Sequence, residues 1–452
     1  MPDNDDPPTG RMLPEPTLTL TLPSIHDGTV LDCRVFHPYS LSPSPRAPPW
    51  QRHAAVIAHP YAPLGGCYDD PVVDVVAATL LRLGFLVATF NFRGASGSAG
   101  RTSWTAKAER ADYVSVVGFV SHYAHHLDPF RQGPAASSDA EHPDKPPPPP
   151  PPPPSTAPLL LLAGYSYGAM VTAQLPGLAT MHAPFSTPAT GSPAAEIRHR
   201  AEHLAAAQNA ALGEARTALQ VSKGNGSATA SPRKSLGVRV GGDEDIRRSH
   251  ESGGGRRSLS LEVEERFRRG VAKARRGGRH GKGGGGEEQQ RPAAAGEADD
   301  RLPAPVDPPR YRAAYLLVSP LQGVVTNLAT MSFPNPFLRR RKSSKKGKPT
   351  ALPRADDDDN AQDASGDGDG DPVSAEGEQK LVRNPTLAVY GDQDVFVSAR
   401  KLREWARRLE GAAGSRFRAH EVSTAGHFWT EERVLYVMRN AMTTFAEGLL
   451  AG

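Results

Sequence analysis

One serine in this sequence lies in a pattern that is typical of an activated nucleophile. The segment 164–168 reads GYSYG, follows an apolar run at 158–163 and precedes a stretch with helical periodicity. A serine at such a strand-to-helix turn is strained and exposed at the strand end, and side chains in place of Gly164 or Gly168 would collide with neighbouring backbone. We therefore interpret Ser166 as a nucleophile rather than as part of a turn without chemistry.

A serine hydroxyl needs a base to accept its proton, and histidine is suitable because its ordinary pKa is near 6.5. His427 is the best candidate for this base. It lies in the segment TAGHF at 424–428, between the last predicted strand and the last predicted helix. This position places it at the same end of the sheet as Ser166.

A carboxylate should hold the imidazole in one tautomer and stabilise its charged form. The segment 391–394 reads GDQD and follows a predicted strand at 386–390. We favour Asp394 for this role, and Asp392 is the alternative. Either aspartate could instead cap the helix that begins near Ser398.

Hydrophobic periodicity predicts the elements that position these residues. The predicted strands are 17–22, 30–36, 54–58, 85–92, 158–163, 314–319, 386–390 and 416–422, and the predicted helices are 71–83, 105–126, 168–178, 398–409 and 431–449. The first two strands form an antiparallel hairpin, whereas the later strands alternate with helices. This alternation predicts an α/β fold with a mainly parallel sheet that is covered on both faces, and a ligand site at the carboxyl ends of the strands.

The sequence resembles the α/β-hydrolase superfamily, in which the triad follows the order serine, acid, histidine. The segments HPYAPLGG at 59–66 and FNFRG at 90–94 are similar to signatures of small predicted α/β hydrolases, which are related to dienelactone hydrolases and to the S9 and S33 peptidase-like branches. The resemblance implies an α/β-hydrolase fold and a serine hydrolase with an acyl-enzyme mechanism. It also implies an oxyanion hole made by the backbone N–H groups of Tyr61, or Ala62, and of Tyr167.

We expect a small-molecule acyl substrate, with carboxylic esters or thioesters favoured over charged peptides. The candidates to line an apolar acyl pocket are Tyr61, Tyr165, Tyr167 and Met170, together with Met331 and Phe333. Two alternatives remain: a catalytically weak or inactive hydrolase-fold protein that recruits partners, and an S9- or S33-like peptidase. The S9 type usually needs a propeller domain, and the sequence has no blade-like repeat.

The composition predicts one domain interrupted by disordered inserts. Gly and Pro number 44 each among 452 residues, and the mean hydropathy is −0.47. We expect a disordered tail at 1–15 and a single α/β-hydrolase domain at 16–450, with disordered inserts at about 131–156, 184–309 and 337–381. An Ala-rich stretch at 194–219 in the second insert predicts a transient helix.

Charge, cysteine content and low-complexity runs give expectations about partners and location. The net charge of +4 argues neither for nor against an acidic partner. Two cysteines exclude a disulfide framework and fit a reducing compartment. We therefore expect a cytoplasmic protein, and we expect no transmembrane segment. The proline run Pro146 to Pro154 could bind an SH3 or WW domain. The basic run Arg339 to Lys348 could serve nuclear import, and we do not expect it to bind nucleic acid or an anionic membrane.

We expect neither a cofactor nor a metal ion. His122, His125 and His126 have the spacing of metal ligands on a helix, but no carboxylate or cysteine is in register with them. We interpret them as a solvated helix end. His59 lies beside the oxyanion loop, and we expect it to make a structural hydrogen bond rather than to act as a base.

Overall fold

The structure is a computed structural model that describes residues 12–103, 105–130, 157–224, 238–239, 300–321 and 372–451. Within these ranges the strands are β1 (Leu18–Pro23), β2 (Val30–Phe36), β3 (Ala54–Ala58), β4 (Leu86–Phe90), β5 (Leu159–Tyr165), β6 (Val238–Arg239), β7 (Arg312–Val318), β8 (Thr386–Gly391) and β9 (Phe417–Val422). The α-helices are α1 (Pro71–Arg82), α2 (Lys107–His126), α3 (Tyr167–Gln174), α4 (Leu178–Ser186), α5 (Pro193–Gly224), α6 (Pro372–Arg383), α7 (Ala399–Glu410) and α8 (Val434–Ala451).

The strands form one sheet in the order β6-β1-β2-β4-β3-β5-β7-β8-β9. β2 pairs antiparallel with both of its neighbours, β1 and β4. From β4 to β9 every neighbouring pair is parallel. The predicted α/β fold class, with a mainly parallel sheet and a hairpin beside it, is confirmed.

Both faces of the sheet are buried, as the continuous apolar runs of its parallel strands predict. In β3, Val56 points into a core formed with α2, α3, α5 and α7, whereas Ile57 points into a second core formed with α1 and α8. None of the helices in the described ranges is both long enough and apolar enough to cross a membrane.

Local capping signals set the helix ends near the site. The carboxylate of Asp70 accepts hydrogen bonds from the N–H groups of Val72 and Val73 at 2.8 and 3.4 Å, and Pro71 starts α1. Gly84 lies just beyond this helix and has a φ of 94°, in the left-handed region that favours glycine. These predicted ends of α1 are confirmed.

The chain departs from expectation at α4 and α5. We predicted a disordered insert at 184–309, but α5 packs against α2, and its side chains Ile197, Ala201, Leu204 and Ala205 are buried. The spacing of these residues makes one apolar stripe. The prediction is wrong over 184–224 because composition over a long window averages this stripe with the many polar residues around it.

Three other predicted boundaries also need correction. Residues 300–309 are ordered, and the Leu302 N–H donates to the Pro188 carbonyl at 2.9 Å. The predicted tail reaches only partly to residue 15, since Leu13 is buried and its N–H donates to Asp74 at 3.2 Å. The predicted third insert overlaps α6, where Leu381 is fully buried.

Several expectations concern residues outside the described ranges. They are the insert at 131–156 with its proline run Pro146 to Pro154, the basic run Arg339 to Lys348, and the pocket candidates Met331 and Phe333.

Ile197→Ala is expected to lower the free energy of unfolding by about 2–4 kcal/mol, because it leaves a cavity between α5 and α2. The matched control Val221→Ala changes an exposed position on the same helix and should cost less than about 0.5 kcal/mol. Urea titration of both variants measures the difference. Equal stabilities of the two variants would mean that α5 does not pack as described.

Candidate active site

Ser166 lies in a sharp turn between β5 and α3. Its φ and ψ are 56° and −115°, a conformation that L-residues rarely adopt. The turn is fixed by backbone hydrogen bonds: the Ser166 N–H donates to the Val318 carbonyl at 2.9 Å, and the Ser166 carbonyl accepts from the Met170 N–H at 3.1 Å. The strained turn that the sequence predicts is therefore present at this serine.

The two glycines around Ser166 are required by close backbone contacts. A Cβ atom at Gly168 would lie 2.5 Å from the carbonyl oxygen of Ala58 and 2.6 Å from that of His59. A Cβ atom at Gly164 would collide with the backbone of Gly168 itself. Glycine at these positions lets the start of α3 press against the end of β3, as we predicted from the segment GYSYG.

The structure brings Ser166, His427 and Asp394 together from three separate parts of the chain. Nε2 of His427 lies 2.8 Å from Oγ of Ser166, and Nδ1 of His427 lies 2.7 Å from Oδ2 of Asp394. The exposed fractions are 6% for Ser166, 3% for the His427 side chain and 1% for the Asp394 side chain. Burial of this kind strengthens hydrogen bonds between the three groups by excluding water.

The two candidate aspartates have different partners. The second oxygen of Asp394 accepts hydrogen bonds from the N–H groups of Phe396 and Val397 at 2.8 and 3.1 Å, which fixes the carboxylate toward His427. Asp392 instead accepts from the Thr424 N–H at 2.8 Å, and so braces the loop that carries the histidine. The contact with the imidazole is thus made by Asp394.

Other side chains hold the histidine loop, and sequence reasoning did not identify this role for them. The Tyr165 hydroxyl donates to the His427 carbonyl at 2.8 Å, and Nε1 of Trp429 donates to Oγ of Ser319 at 3.0 Å. Gly391 lies so close to the Ala425 carbonyl that a Cβ atom would not fit. The one sequence signal that could have identified these residues is their position, because each lies near the end of a strand or near His427.

Two of the predicted pocket residues are interior ones. Tyr165 and Met170 are each 3% exposed, and the hydroxyl of Tyr165 is engaged by the histidine loop. Two phenylalanines that we had not singled out lie beside the histidine instead: the rings of Phe396 and Phe428 have centroids 4.5 and 5.5 Å from that of His427. Phe428 is 60% exposed, so it presents an apolar surface at the site.

His59 fixes the loop that follows β3. Its Nε2 accepts a hydrogen bond from the Phe92 N–H at 2.9 Å, and its Nδ1 lies 2.5 Å from the Pro60 carbonyl. Burial lowers the pKa of His59 to about 4, so the imidazole is neutral and can donate through one nitrogen while it accepts through the other. This geometry agrees with the structural hydrogen bond that we expected from His59.

The next residue of the loop, Tyr61, lies against the start of α3, where its ring centroid is 5.2 Å from that of Tyr167. The Tyr167 N–H is in the first turn of α3, where N–H groups have no partner within the helix. The two residues of the predicted oxyanion pair are therefore in contact through their rings, and Tyr167 follows Ser166 directly in the chain.

The histidines at the end of α2 differ from expectation. His122 is 4% exposed and so is not part of a solvated helix end. We expected no carboxylate near these histidines, but Glu202 of α5 supplies one. The ligand atoms of His122, His126 and Glu202 lie within 4.8 Å of one another. The sequence did not reveal this group because it joins two helices that are distant along the chain.

No protein-family model and no curated relative matches the sequence. Among solved structures the chain is similar to an α/β serine hydrolase homologue from Coxiella burnetii, at 13% identity over 94% of this chain and 95% of that chain, with a TM-score of 0.40. It is also similar to an α/β serine hydrolase without lid from Xanthomonas campestris, at 15% identity over 97% and 96%, with a TM-score of 0.40. A third similar structure is the esterase Pf2001 of Pyrococcus furiosus, at 10% identity over 95% and 88%, with a TM-score of 0.40.

The chain's own geometry identifies its fold. The chain has a mainly parallel sheet with an antiparallel second strand, and a strained serine between a strand and a helix. An aspartate and then a histidine follow at the ends of later strands and hydrogen-bond in series to this serine. This combination gives the chain the α/β-hydrolase fold.

Proposed function

We propose that the protein is a serine hydrolase that acts on small carboxylic esters or thioesters through an acyl-enzyme. The observation that carries the proposal is the continuous chain of hydrogen bonds from Ser166 through His427 to Asp394 at the carboxyl edge of the sheet. Nucleophile, base and orienting acid lie within hydrogen-bond distance before any substrate binds, which is the arrangement that nucleophilic catalysis requires.

In the proposed mechanism Asp394 accepts the hydrogen bond from Nδ1–H of His427, which leaves Nε2 as the acceptor that faces Ser166. As Ser166 Oγ attacks the carbonyl carbon, its proton moves to Nε2, and the imidazolium is stabilised by the carboxylate. The same proton then passes to the leaving alcohol or thiol. A water molecule, deprotonated by His427, hydrolyses the acyl-enzyme and restores the serine.

The negative charge that develops on the carbonyl oxygen would be held by the N–H groups of Tyr61, or Ala62, and of Tyr167. His59 contributes by fixing the first of these segments through its hydrogen bonds to Phe92 and Pro60. Because the donors belong to a braced loop and a helix start, they need little reorganisation when the charge forms.

The surface beside His427 supports an apolar substrate. Phe396 packs edge-on against the imidazole, and Phe428, whose ring centroid is 5.5 Å from that of His427, is 60% exposed. Val395, which precedes Phe396 in the chain, is 75% exposed. Apolar groups at the mouth of a site favour acyl chains or aromatic acids over charged peptides.

The direct test is labelling of the full-length protein with a fluorophosphonate probe. Wild type should be labelled at one serine, and Ser166→Ala should not be labelled at all, because the probe reacts with a serine only when a base activates it. Ser423→Ala is a matched control, since Ser423 is exposed and lies four residues before His427.

Labelling of wild type and Ser423→Ala, but not of Ser166→Ala, would justify a screen of esters and thioesters of increasing acyl length. Wild-type protein that is folded by circular dichroism and yet is not labelled would contradict the proposal. Equal labelling of Ser166→Ala would also contradict it, because a different residue would then be the nucleophile.

A further inference from the structure

A second group of chemically competent side chains lies far from Ser166. α2 runs from the end of β4 to the start of β5, so its last turn lies at the amino edge of the sheet, opposite the edge that carries the serine. There an open cleft is lined by residues of α2, α5 and the segment around Asp307, including His125, His126 and Glu202.

We propose that His122, His126 and Glu202 bind a divalent transition-metal ion of the Zn²⁺ type, and that this ion joins α5 to α2. The two histidines are four residues apart, so they lie on one face of α2. Glu202 reaches them from α5. Two imidazole nitrogens and one carboxylate oxygen, with water from the cleft in the fourth position, form a ligand set that Zn²⁺ accepts.

The distances allow the site to close with small movements. The three ligand atoms lie within 4.8 Å of one another, and Nε2 of His126 is 3.9 Å from Oε1 of Glu202. Donor atoms around a tetrahedral zinc ion are roughly 3.3 Å apart, as bond lengths of about 2.0–2.1 Å require. Side-chain rotations that move the ligand atoms by about 1.5 Å or less would therefore bring them to zinc-binding distances.

The hydrogen bonding of the two histidines also points to a ligand here. Nδ1 of His122 and Nε2 of His126 are both inaccessible to solvent and have no hydrogen-bond partner among the described residues. His122, which carries the first of these atoms, is only 4% exposed. Buried polar atoms normally have partners, and a metal ion between these two imidazole nitrogens and the nearby carboxylate would provide one.

Charged neighbours shape the site without blocking it. Nε of Arg198 donates to Oε1 of Glu202 at 3.0 Å, and a second guanidinium nitrogen of Arg198 donates to the Pro303 carbonyl at 2.8 Å. An outer-sphere hydrogen bond of this kind orients a ligating carboxylate, and it leaves further lone pairs on the carboxylate oxygens that can bind the ion. The other arginine of the cleft, Arg52, is paired with Asp128 at 2.8 Å. The positive charge of Arg198 makes us expect weaker binding than in a four-cysteine site.

A metal ion at this site would fasten α5 to α2. This helix lies outside the regular alternation of strands and helices, and its side chains Ile197, Ala201 and Leu204 belong to the same core as α2. An ion held by both helices would add a bond between them beside their apolar contact, and it would act on stability rather than on the chemistry at Ser166.

The test uses full-length protein from which any affinity tag has been removed, stripped with a chelator and dialysed. ZnCl₂ is titrated in competition with a chromogenic zinc chelator, and the melting temperature is measured with and without zinc. We expect one tightly bound Zn²⁺ per chain and a rise of about 5 °C in Tm when free zinc exceeds Kd a hundredfold. His126→Gln and Glu202→Gln should each weaken binding by about a hundredfold or more and remove the rise in Tm.

His203→Ala is the matched control, because His203 is the exposed neighbour of Glu202 on α5. It should bind zinc as wild type does. Loss of binding in His203→Ala but not in Glu202→Gln would show adventitious surface binding and overturn the proposal. Failure of the stripped wild-type protein to take up one equivalent of zinc would overturn it whatever the variants do.

Discussion

Asp394→Asn is expected to lower the rate constant of acylation by about 10⁴-fold while the protein remains folded. The carboxylate now accepts the hydrogen bond from Nδ1–H of His427. An asparagine at this position can present its NH₂ group to Nδ1, which moves the imidazole proton to Nε2. The nitrogen that faces Ser166 then carries a proton and cannot accept the proton of the serine.

The second-order rate constant of fluorophosphonate labelling measures this effect without knowledge of the substrate. Asp392→Asn is the matched control, because Asp392 stands two residues away and hydrogen-bonds the Thr424 N–H rather than the imidazole. We expect less than about a tenfold change from it, since an amide oxygen can still accept that bond. A larger loss in Asp392→Asn than in Asp394→Asn would reverse the assignment of the acid.

The candidate triad could be predicted because its positions are determined by local signals. Ser166 is marked by its flanking glycines, and Asp394 follows β8, whose apolar run is plain in the sequence. His427 follows β9, a mostly polar strand that precedes the last helix. Once parallel strands are recognised, their carboxyl ends must lie at one edge, and residues distant along the chain are brought together by topology alone. The choice between Asp394 and Asp392 depends on a rotation of one loop, which periodicity does not encode.

The supports of the site could not be predicted, because they are contacts between residues far apart in sequence. The hydroxyl of Tyr165 reaches the His427 carbonyl across 262 positions, and the Trp429 indole reaches Ser319 across 110. A tyrosine beside a nucleophile is equally compatible with a pocket wall and with a loop anchor. Only the three-dimensional direction of its ring distinguishes the two, and sequence reasoning chose the pocket wall.

The packing of α5 was missed for a related reason. Composition over a long window averages the buried stripe of Ile197, Ala201 and Leu204 with the polar residues around it. An apolar stripe of this kind stabilises a helix only when a partner such as α2 is available, and a sequence window does not contain the partner. The error also hid Glu202, and with it the carboxylate that completes the histidine group on α2.

Arg93→Met is expected to lower the free energy of unfolding by about 3–5 kcal/mol, the largest stability effect that we predict for a single substitution. Nε and Nη2 of Arg93 donate to the two carboxylate oxygens of Asp112 at 2.9 and 2.7 Å, and Nη1 donates to Asp27 at 2.9 Å. The side chain of Asp112 is fully buried. Removal of the guanidinium would leave that carboxylate inside the protein without its counter-charge.

Two further variants separate this cause from simple loss of packing. Asp112→Asn in the Arg93→Met background removes the stranded charge, so it should recover at least half of the lost stability. Asp27→Asn should cost less than about 1 kcal/mol, because the Asp27 side chain is 43% exposed and water can replace its partner. Chemical denaturation measures all three, and no recovery in the double variant would mean that lost packing, not the unpaired carboxylate, is the cause.

The same variant also tests whether the network supports the fold or the chemistry. Arg93 joins the turn after β1, the end of β4 and the first turns of α2, and its side-chain partners Asp27, Ser24 and Asp112 do not belong to the candidate triad. Well below its melting temperature, Arg93→Met should therefore react with the fluorophosphonate probe at a rate within about tenfold of wild type. A loss as large as that of Asp394→Asn would instead mean that the network also controls the geometry of Ser166 and His427.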